Sequence, residues 1–148
     1  TFLYVKLAGG VLAKSRVFMT ESGGAAADAL SFLRYAPEEL VVAHDDADIA
    51  IGRAKVSRGR GAAGHNGVAS IIETLGTRAF RRARIGTRPP RDFSHAGLPA
   101  EARPKRAKAG DFALHPLSSE TAAAYDAVFQ RLISALIPNE TPSGAGRI

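Results

Sequence analysis

The sequence predicts a single α/β domain in which a mixed β-sheet is flanked by helices. Segments rich in β-forming residues alternate with segments whose apolar residues recur at helical spacing, and this alternation is typical of the α/β class. The 148 residues are close to the average length of one domain, and 45% of them are hydrophobic, as in ordinary globular proteins. We expect the domain to occupy residues 1–137 and a polar C-terminal tail to occupy residues 138–148.

The N-terminal part of the chain predicts a hairpin followed by a helix. Residues 1–8 and 11–18 are rich in β-formers, and the glycine pair between them is a two-residue hairpin signal. Residues 25–33 carry apolar side chains at helical spacing. Pro37 follows shortly afterwards and stops that helix.

The next part predicts two strands, a loop and a helix. Residues 39–43 form a short apolar run that is typical of a buried strand, and residues 44–48 then form an acidic turn. Residues 49–58 predict a second strand in which basic residues occupy alternate positions. The glycine-rich residues 59–67 predict a loop, and the spacing of apolar residues predicts a helix over 68–75.

The C-terminal half predicts a strand, a long basic loop and a last helix. Residues 80–86 form a strand crowded with arginine, whereas residues 87–110 are rich in proline and basic groups and predict a mobile loop. Ser118 can cap a helix whose apolar stripe covers residues 124–136. Pro138 ends that helix.

The positive charge of the chain is concentrated in its middle. Residues 51–110 contain fourteen basic and three acidic residues, whereas the segments before and after carry net charges of −3 and −2, within an overall charge of +6. Crowded like charges repel one another, and a polyanion such as a nucleic-acid backbone would compensate them. The alternative is a solvated face of a basic protein. Because the chain has no cysteine, disulfides, zinc–thiolate sites and thiol nucleophiles are excluded.

The glycine loop at residues 59–64 reads G-x-G-x-x-G and allows two interpretations. A dinucleotide site is the weaker one, because the acidic residue expected about 20 residues later is missing and the next strand is strongly charged. The other is an anion cradle for RNA, in which Arg58 and Arg60 flank the loop while Lys55 and Arg84 lie on adjoining strands.

Polar side chains at two further places could carry chemistry. Asn66, beside His65, is either a helix N-cap or an amide displayed in a cleft. The acidic turn with Asp45, Asp46 and Asp48 could hold Mg²⁺, could orient a histidine general base, or could be a solvated turn. No second acidic cluster completes a metal cage, and no G-x-S-x-G pattern supports a serine nucleophile.

Taken together, the motifs of the chain resemble the bacterial-type peptidyl-tRNA hydrolase family. The resemblance covers about residues 4–136. It rests on the order and spacing of FMTESG at 18–23, VVAHDDAD at 41–48, GHNG at 64–67, FRRARIG at 80–86 and DFAL at 111–114.

The resemblance implies a single α/β domain that hydrolyses the ester between a nascent peptide and tRNA without a metal or another cofactor. By the same resemblance, Asp45 orients the catalytic histidine, since a carboxylate on one imidazole nitrogen fixes the tautomer and raises basicity at the other. Asn66 binds the substrate's end and the attacking water, and His65, its neighbour in the cleft, is also expected to bind the substrate. Lys55 and Arg84 lie near the tRNA phosphates.

The chain also departs from the family pattern. The family's catalytic histidine belongs to an N-terminal segment with a Thr-Arg-His-Asn motif, which nothing here matches, so we expect an N-terminally truncated form with weak or no activity. Thr20 stands where the family has a substrate-binding asparagine. One basic position of the phosphate clamp is Ser57, with Arg58 adjacent.

A second function remains open on these observations, namely a non-catalytic RNA-binding homologue on the same fold. In either case tRNA is the expected partner, and we expect a monomer without a metal or a membrane contact. The lack of cysteine and of a secretory signal is consistent with a cytoplasmic or mitochondrial protein.

Overall fold

The computed structural model describes residues 1–88 and 117–137. Within these ranges, three α-helices and five strands form the predicted α/β fold, and the strands divide into a two-stranded hairpin and a mixed three-stranded sheet. Most of the expected basic loop and the whole of the expected tail lie outside the described residues. No helix in the described part of the chain is both long enough and apolar enough to cross a membrane.

The predicted N-terminal hairpin is confirmed. Strand β1 (Phe2–Leu7) pairs antiparallel with strand β2 (Gly10–Ser15). Leu7 is opposite Gly10, so the two-residue turn begins one position earlier than predicted. Alternate residues point to opposite faces of a strand, and the hairpin therefore presents apolar side chains on both faces.

Helix α1 (Ser22–Leu33) ends at a residue in the left-handed conformation, because Arg34 has φ of 60° and closes the last turn before the proline is reached. The helix crosses α2 (Asn66–Leu75) with the two backbones close together. At the crossing, the amide of Gly23 donates a hydrogen bond of 3.0 Å to the Oγ of Ser70. A Cβ at Gly23 would overlap the backbone carbonyl of Ser70, so only glycine fits there.

The mixed sheet has the order β3 (Val41–Ala50), β5 (Arg81–Arg88), β4 (Ala54–Arg58). The central strand runs parallel to β3 and antiparallel to β4. The acidic turn predicted over residues 44–48 is wrong, because these residues belong to β3 and pair with β5 as far as Asp46.

The strand predicted over residues 49–58 is interrupted. A short turn at residues 51–53 separates β3 from β4, and it is closed by hydrogen bonds from the Ile51 amide to the Arg88 carbonyl and from the Arg53 amide to the Ala50 carbonyl. Ala50 of β3 pairs with Arg88, and β5 therefore extends two residues beyond its predicted end.

Helix α3 (Ser119–Leu136) begins as predicted, with the Ser118 hydroxyl accepting a hydrogen bond of 3.1 Å from the Thr121 amide. Its Val128 is one of the three most buried large side chains, together with Phe80 before β5 and Val68 of α2. The core is thus assembled from α1, α2, α3 and the mixed sheet, and it supports the strand that carries Asp45.

Candidate active site

Asp45 and His65 form a hydrogen-bonded pair between the sheet and a helix. Asp45 lies on β3 with its side chain 54% exposed, and His65 immediately precedes α2 with its side chain 18% exposed. The His65 Nε2 and the Asp45 Oδ1 are 3.1 Å apart. The His65 Nδ1 accepts a hydrogen bond of 3.2 Å from the Val68 amide, which makes His65 the N-cap of the helix.

His44 packs against this pair. Its ring meets the ring of His65 edge-on at a centroid distance of 4.6 Å, and its Nδ1 donates a hydrogen bond of 2.7 Å to the backbone carbonyl of Asp45. Its Nε2 is buried and has no hydrogen-bond partner among residues 1–88 and 117–137. Burial lowers the pKa of His44, although the hydrogen bond to Asp45 opposes that change. His44 is therefore a neutral ring at neutral pH.

Asp46 forms an ion pair with Arg84. Its Oδ2 accepts hydrogen bonds of 2.7 Å from both Nε and Nη2 of Arg84, and its Oδ1 accepts a bond of 2.9 Å from the Asp48 amide. Burial alone would raise the pKa of Asp46, but these hydrogen bonds and the charge of Arg84 outweigh it, so the pKa lies below its usual value.

The strand conformation explains why neighbouring carboxylates have different partners. Successive side chains of a strand point to opposite faces. Asp45 therefore meets the N-terminus of α2, whereas Asp46 meets Arg84. A turn would have allowed both carboxylates to converge on a cation. In the described ranges, no group of three or more potential metal ligands is found.

Asn66 is the first residue of α2 and is exposed beside the Asp45–His65 pair. The interpretation of Asn66 as the N-cap is wrong, because His65 has that role. The short 3₁₀ turn Met19–Glu21, which contains the exposed Thr20, lies against this helix end. A Cβ at Gly67 would be 3.0 Å from the Cγ of Met19, so the glycine allows this close approach.

The predicted phosphate-binding residues lie in and beside the mixed sheet. Lys55 is exposed on β4 opposite Arg84 on β5, so the two side chains share a face. Arg60 is exposed in the glycine loop. The Nε of Arg58 donates a hydrogen bond of 2.8 Å to the Ala79 carbonyl. Arg84 is the least available of the four, because two of its nitrogens are bound to Asp46.

Sequence reasoning missed the roles of Arg82 and Tyr125. Arg82 is only 3% exposed and its Nη1 has no partner in the described part of the chain. Burial, and then the charge of Arg84, lower its pKa. Burial, and then the charge of Asp45, raise the pKa of Tyr125 on α3. The register of β5 would have been needed to find Arg82, and no local signal identified Tyr125.

Comparison with known proteins gives a consistent result. The family model described as peptidyl-tRNA hydrolase matches residues 4–139. A peptidyl-tRNA hydrolase of Cupriavidus pinatubonensis is 39% identical over 125 residues, which cover 84% of this chain and 60% of that protein. One from Mycolicibacterium vanbaalenii is 44% identical over 92 residues, covering 62% of this chain and 48% of that protein. The chain thus spans about half the length of the curated relatives it matches.

The fold comparison agrees. The crystal structure of peptidyl-tRNA hydrolase from Acinetobacter baumannii superposes with a TM-score of 0.66 at 24% identity, over 90% of this chain and 62% of that one. At this level of identity the likeness concerns the fold. The family match covers nearly the whole described structure and includes the Asp45–His65–Asn66 cluster. On these grounds, the chain belongs to the peptidyl-tRNA hydrolase family.

Proposed function

We propose that this chain takes part in hydrolysis of the ester bond between a nascent peptide and tRNA, and that the cluster of Asp45, His65 and Asn66 forms part of that site. The observation that carries the proposal is that one carboxylate of β3 meets the first turn of α2, beside a basic sheet face. Asp45 would orient a general base, and Asn66 would hold the substrate's end and the attacking water. Thr20 lies close enough to the helix end to line the same cleft.

The tRNA would lie on the basic face. Lys55 and Arg84 share one face of the mixed sheet, and Arg58 and Arg60 are exposed. Phosphate contacts of this kind position a nucleic acid without reading its sequence. No residue of the site requires a metal for this chemistry, and we propose a metal-free, cofactor-free reaction by a monomer in the cytoplasm or in mitochondria.

The general base is not supplied by the histidines of the cluster. Both ring nitrogens of His65 are engaged, and the unengaged nitrogen of His44 is buried. His95 and His115 lie outside the described residues, and neither stands in the family's Thr-Arg-His-Asn motif. We therefore propose that residues 1–148 alone hydrolyse peptidyl-tRNA weakly, and that the base comes from a group outside them, in keeping with a truncated form of the family's domain.

A non-catalytic RNA-binding protein is the second candidate. It is favoured by the lack of an available imidazole in the described part of the chain and by Thr20, whose hydroxyl replaces an amide. Against it stands Asp45, which a protein that only binds RNA has no need to hold in this arrangement.

The first test is tRNA binding as a function of salt concentration. We expect the logarithm of the affinity to fall linearly with the logarithm of the salt concentration. Lys55→Gln and Arg60→Gln should each weaken binding and reduce the salt slope by about one. Lys6→Gln removes one charge from the hairpin and is the matched control, with no change expected. Absence of binding at low salt by the folded protein would contradict the proposal.

The second test separates the enzyme from the binding protein. Release of tRNA from peptidyl-tRNA by residues 1–148 is measured for the wild type and for Asp45→Asn. Weak hydrolysis that falls further in the variant supports the enzyme. Binding without any hydrolysis, unchanged by the substitution, supports the RNA-binding protein.

A further inference from the structure

The hydrogen bonds of His65 determine which of its nitrogens carries the proton. A backbone amide can only donate, so the Nδ1 that receives the Val68 N–H must hold a lone pair. The single proton of the neutral ring is then on Nε2, where it is donated to the Oδ1 of Asp45. The backbone of α2 thus selects the tautomer that Asp45 requires.

Two groups of β3 face the His65 ring. From β3, the groups that face His65 are the carboxylate of Asp45 and the neutral ring of His44. On α3, burial and then the charge of Asp45 raise the pKa of Tyr125.

We propose that His65 is a positioning residue that ties the carboxylate of Asp45 to the N-terminus of α2, and that it is neither the general base nor a direct substrate ligand. One imidazole thereby holds the carboxylate, the helix end and the adjacent Asn66 as one unit. Oδ1 of Asp45 is occupied, and within the described residues Oδ2 is left for another donor. That this unit serves hydrolysis rests on the proposed function, whereas the tautomer and its two bonds do not.

The test is nitrogen-15 NMR of the full 148-residue chain at neutral pH, which needs no substrate. Two-bond proton–nitrogen correlations of the His65 ring report which nitrogen is protonated, and hydrogen exchange reports the Val68 amide. We expect a single Nε2–H tautomer and a protected Val68 amide. A ring protonated at Nδ1, or a mixture of tautomers, would overturn the proposal.

Three variants separate the two bonds. Asp45→Ala should speed solvent exchange of the His65 Nε2–H until its signal is lost, while the Val68 amide stays protected. His65→Asn retains a capping oxygen and should keep that amide protected, whereas His65→Ala should expose it. The His44 Nδ1–H, which is bound to the backbone carbonyl of Asp45, is the internal control and should persist in Asp45→Ala.

The same variants identify a purely structural role. If the Nε2–H of His65 exchanges at the same rate in Asp45→Ala as in the wild type, His65 only caps the helix and the positioning role is refuted. Failure of tRNA binding or hydrolysis would leave these spectra unchanged, so the proposed function and this inference can fail separately.

Discussion

The sheet region, formed by β3, β4, β5, α2 and α3, contains the largest fully buried side chains among the described residues, whereas the β1–β2 hairpin leaves many of its apolar side chains exposed. Phe80 and Val68 are 2% and 0% exposed. Leu3 and Leu12 are 56% and 60% exposed. Among the described residues, the Phe32 ring of α1 packs against Tyr4 on one face of the hairpin, with the ring centroids 5.7 Å apart.

The difference shows that the number of packing partners, rather than apolar composition, decides which residues form the core. A hairpin has two strands and is marginally stable unless further strands or a helix cover it. The central strand of the mixed sheet has a strand on each side. The candidate site belongs to the better packed region, which suits a cluster that must hold its geometry.

The largest expected effect on stability comes from a substitution in the core of the sheet region. Phe80→Ala removes a fully buried ring and should lower the free energy of unfolding by ~3–5 kcal/mol, because a cavity adds to the lost transfer energy. Leu12→Ala in the hairpin is the control and should change it by less than ~0.5 kcal/mol. Urea unfolding measures the free energy of unfolding of both variants. Similar losses of stability would contradict the difference in packing between the sheet region and the hairpin.

The next effect concerns α1, which links the two regions. Gly23→Ala should destabilise the protein by ~3 kcal/mol, since the new methyl group meets the Ser70 backbone of α2. Its neighbour Gly24 has nothing within 4 Å of a Cβ, so Gly24→Ala should stabilise the helix by ~0.5–1 kcal/mol. Thermal unfolding should show a lower Tm for Gly23→Ala and a higher Tm for Gly24→Ala. Shifts of Tm in the same direction would contradict the close crossing of α1 and α2.

A third prediction tests the polar side of the sheet region. Asp46→Asn should lower the free energy of unfolding by ~2 kcal/mol at neutral pH, because it removes a charge-assisted bond from Arg84. The pKa of Asp46 is lower in the folded protein than in the unfolded chain, so its stabilisation is present above the unfolded pKa. It is lost as the pH falls through the folded pKa.

Urea unfolding across the acidic pH range checks the direction in which the stabilisation by Asp46 changes with pH. The difference between wild type and Asp46→Asn should shrink as the pH falls. In an Arg84→Ala background the same substitution should have a much smaller effect. A difference that grows toward acid pH would show that the ion pair is not the source of the stabilisation.

The smallest expected effect on stability concerns the N-terminal cap of α3, at the boundary of the sheet region. Ser118→Ala should cost ~1 kcal/mol, because the Thr121 amide loses its cap. Ser119→Ala, one residue later and exposed, is the matched control and should change stability by less than ~0.5 kcal/mol. Equal effects in unfolding measurements would mean that the cap does not stabilise this helix.

Local signals predicted much of the fold. The hairpin, the three helices and the arginine-rich strand all follow from short-range periodicity, from glycines and from the capping serine. Residues 44–48 were misinterpreted because acidic residues are common in turns. Only pairing with β5, about 40 residues later in the chain, holds them in a strand.

Residue types and motif spacing predict the family, the types of most elements and the candidate side chains Asp45, His65 and Asn66. Tertiary structure alone decided that Asp45 and Asp46 have different partners, that His65 rather than Asn66 caps α2, and that Arg82 is buried. The physical reason is that residue type and spacing set local conformation. Hydrogen-bond partners depend on the face, register and neighbouring element, which are set by contacts between residues far apart in the chain.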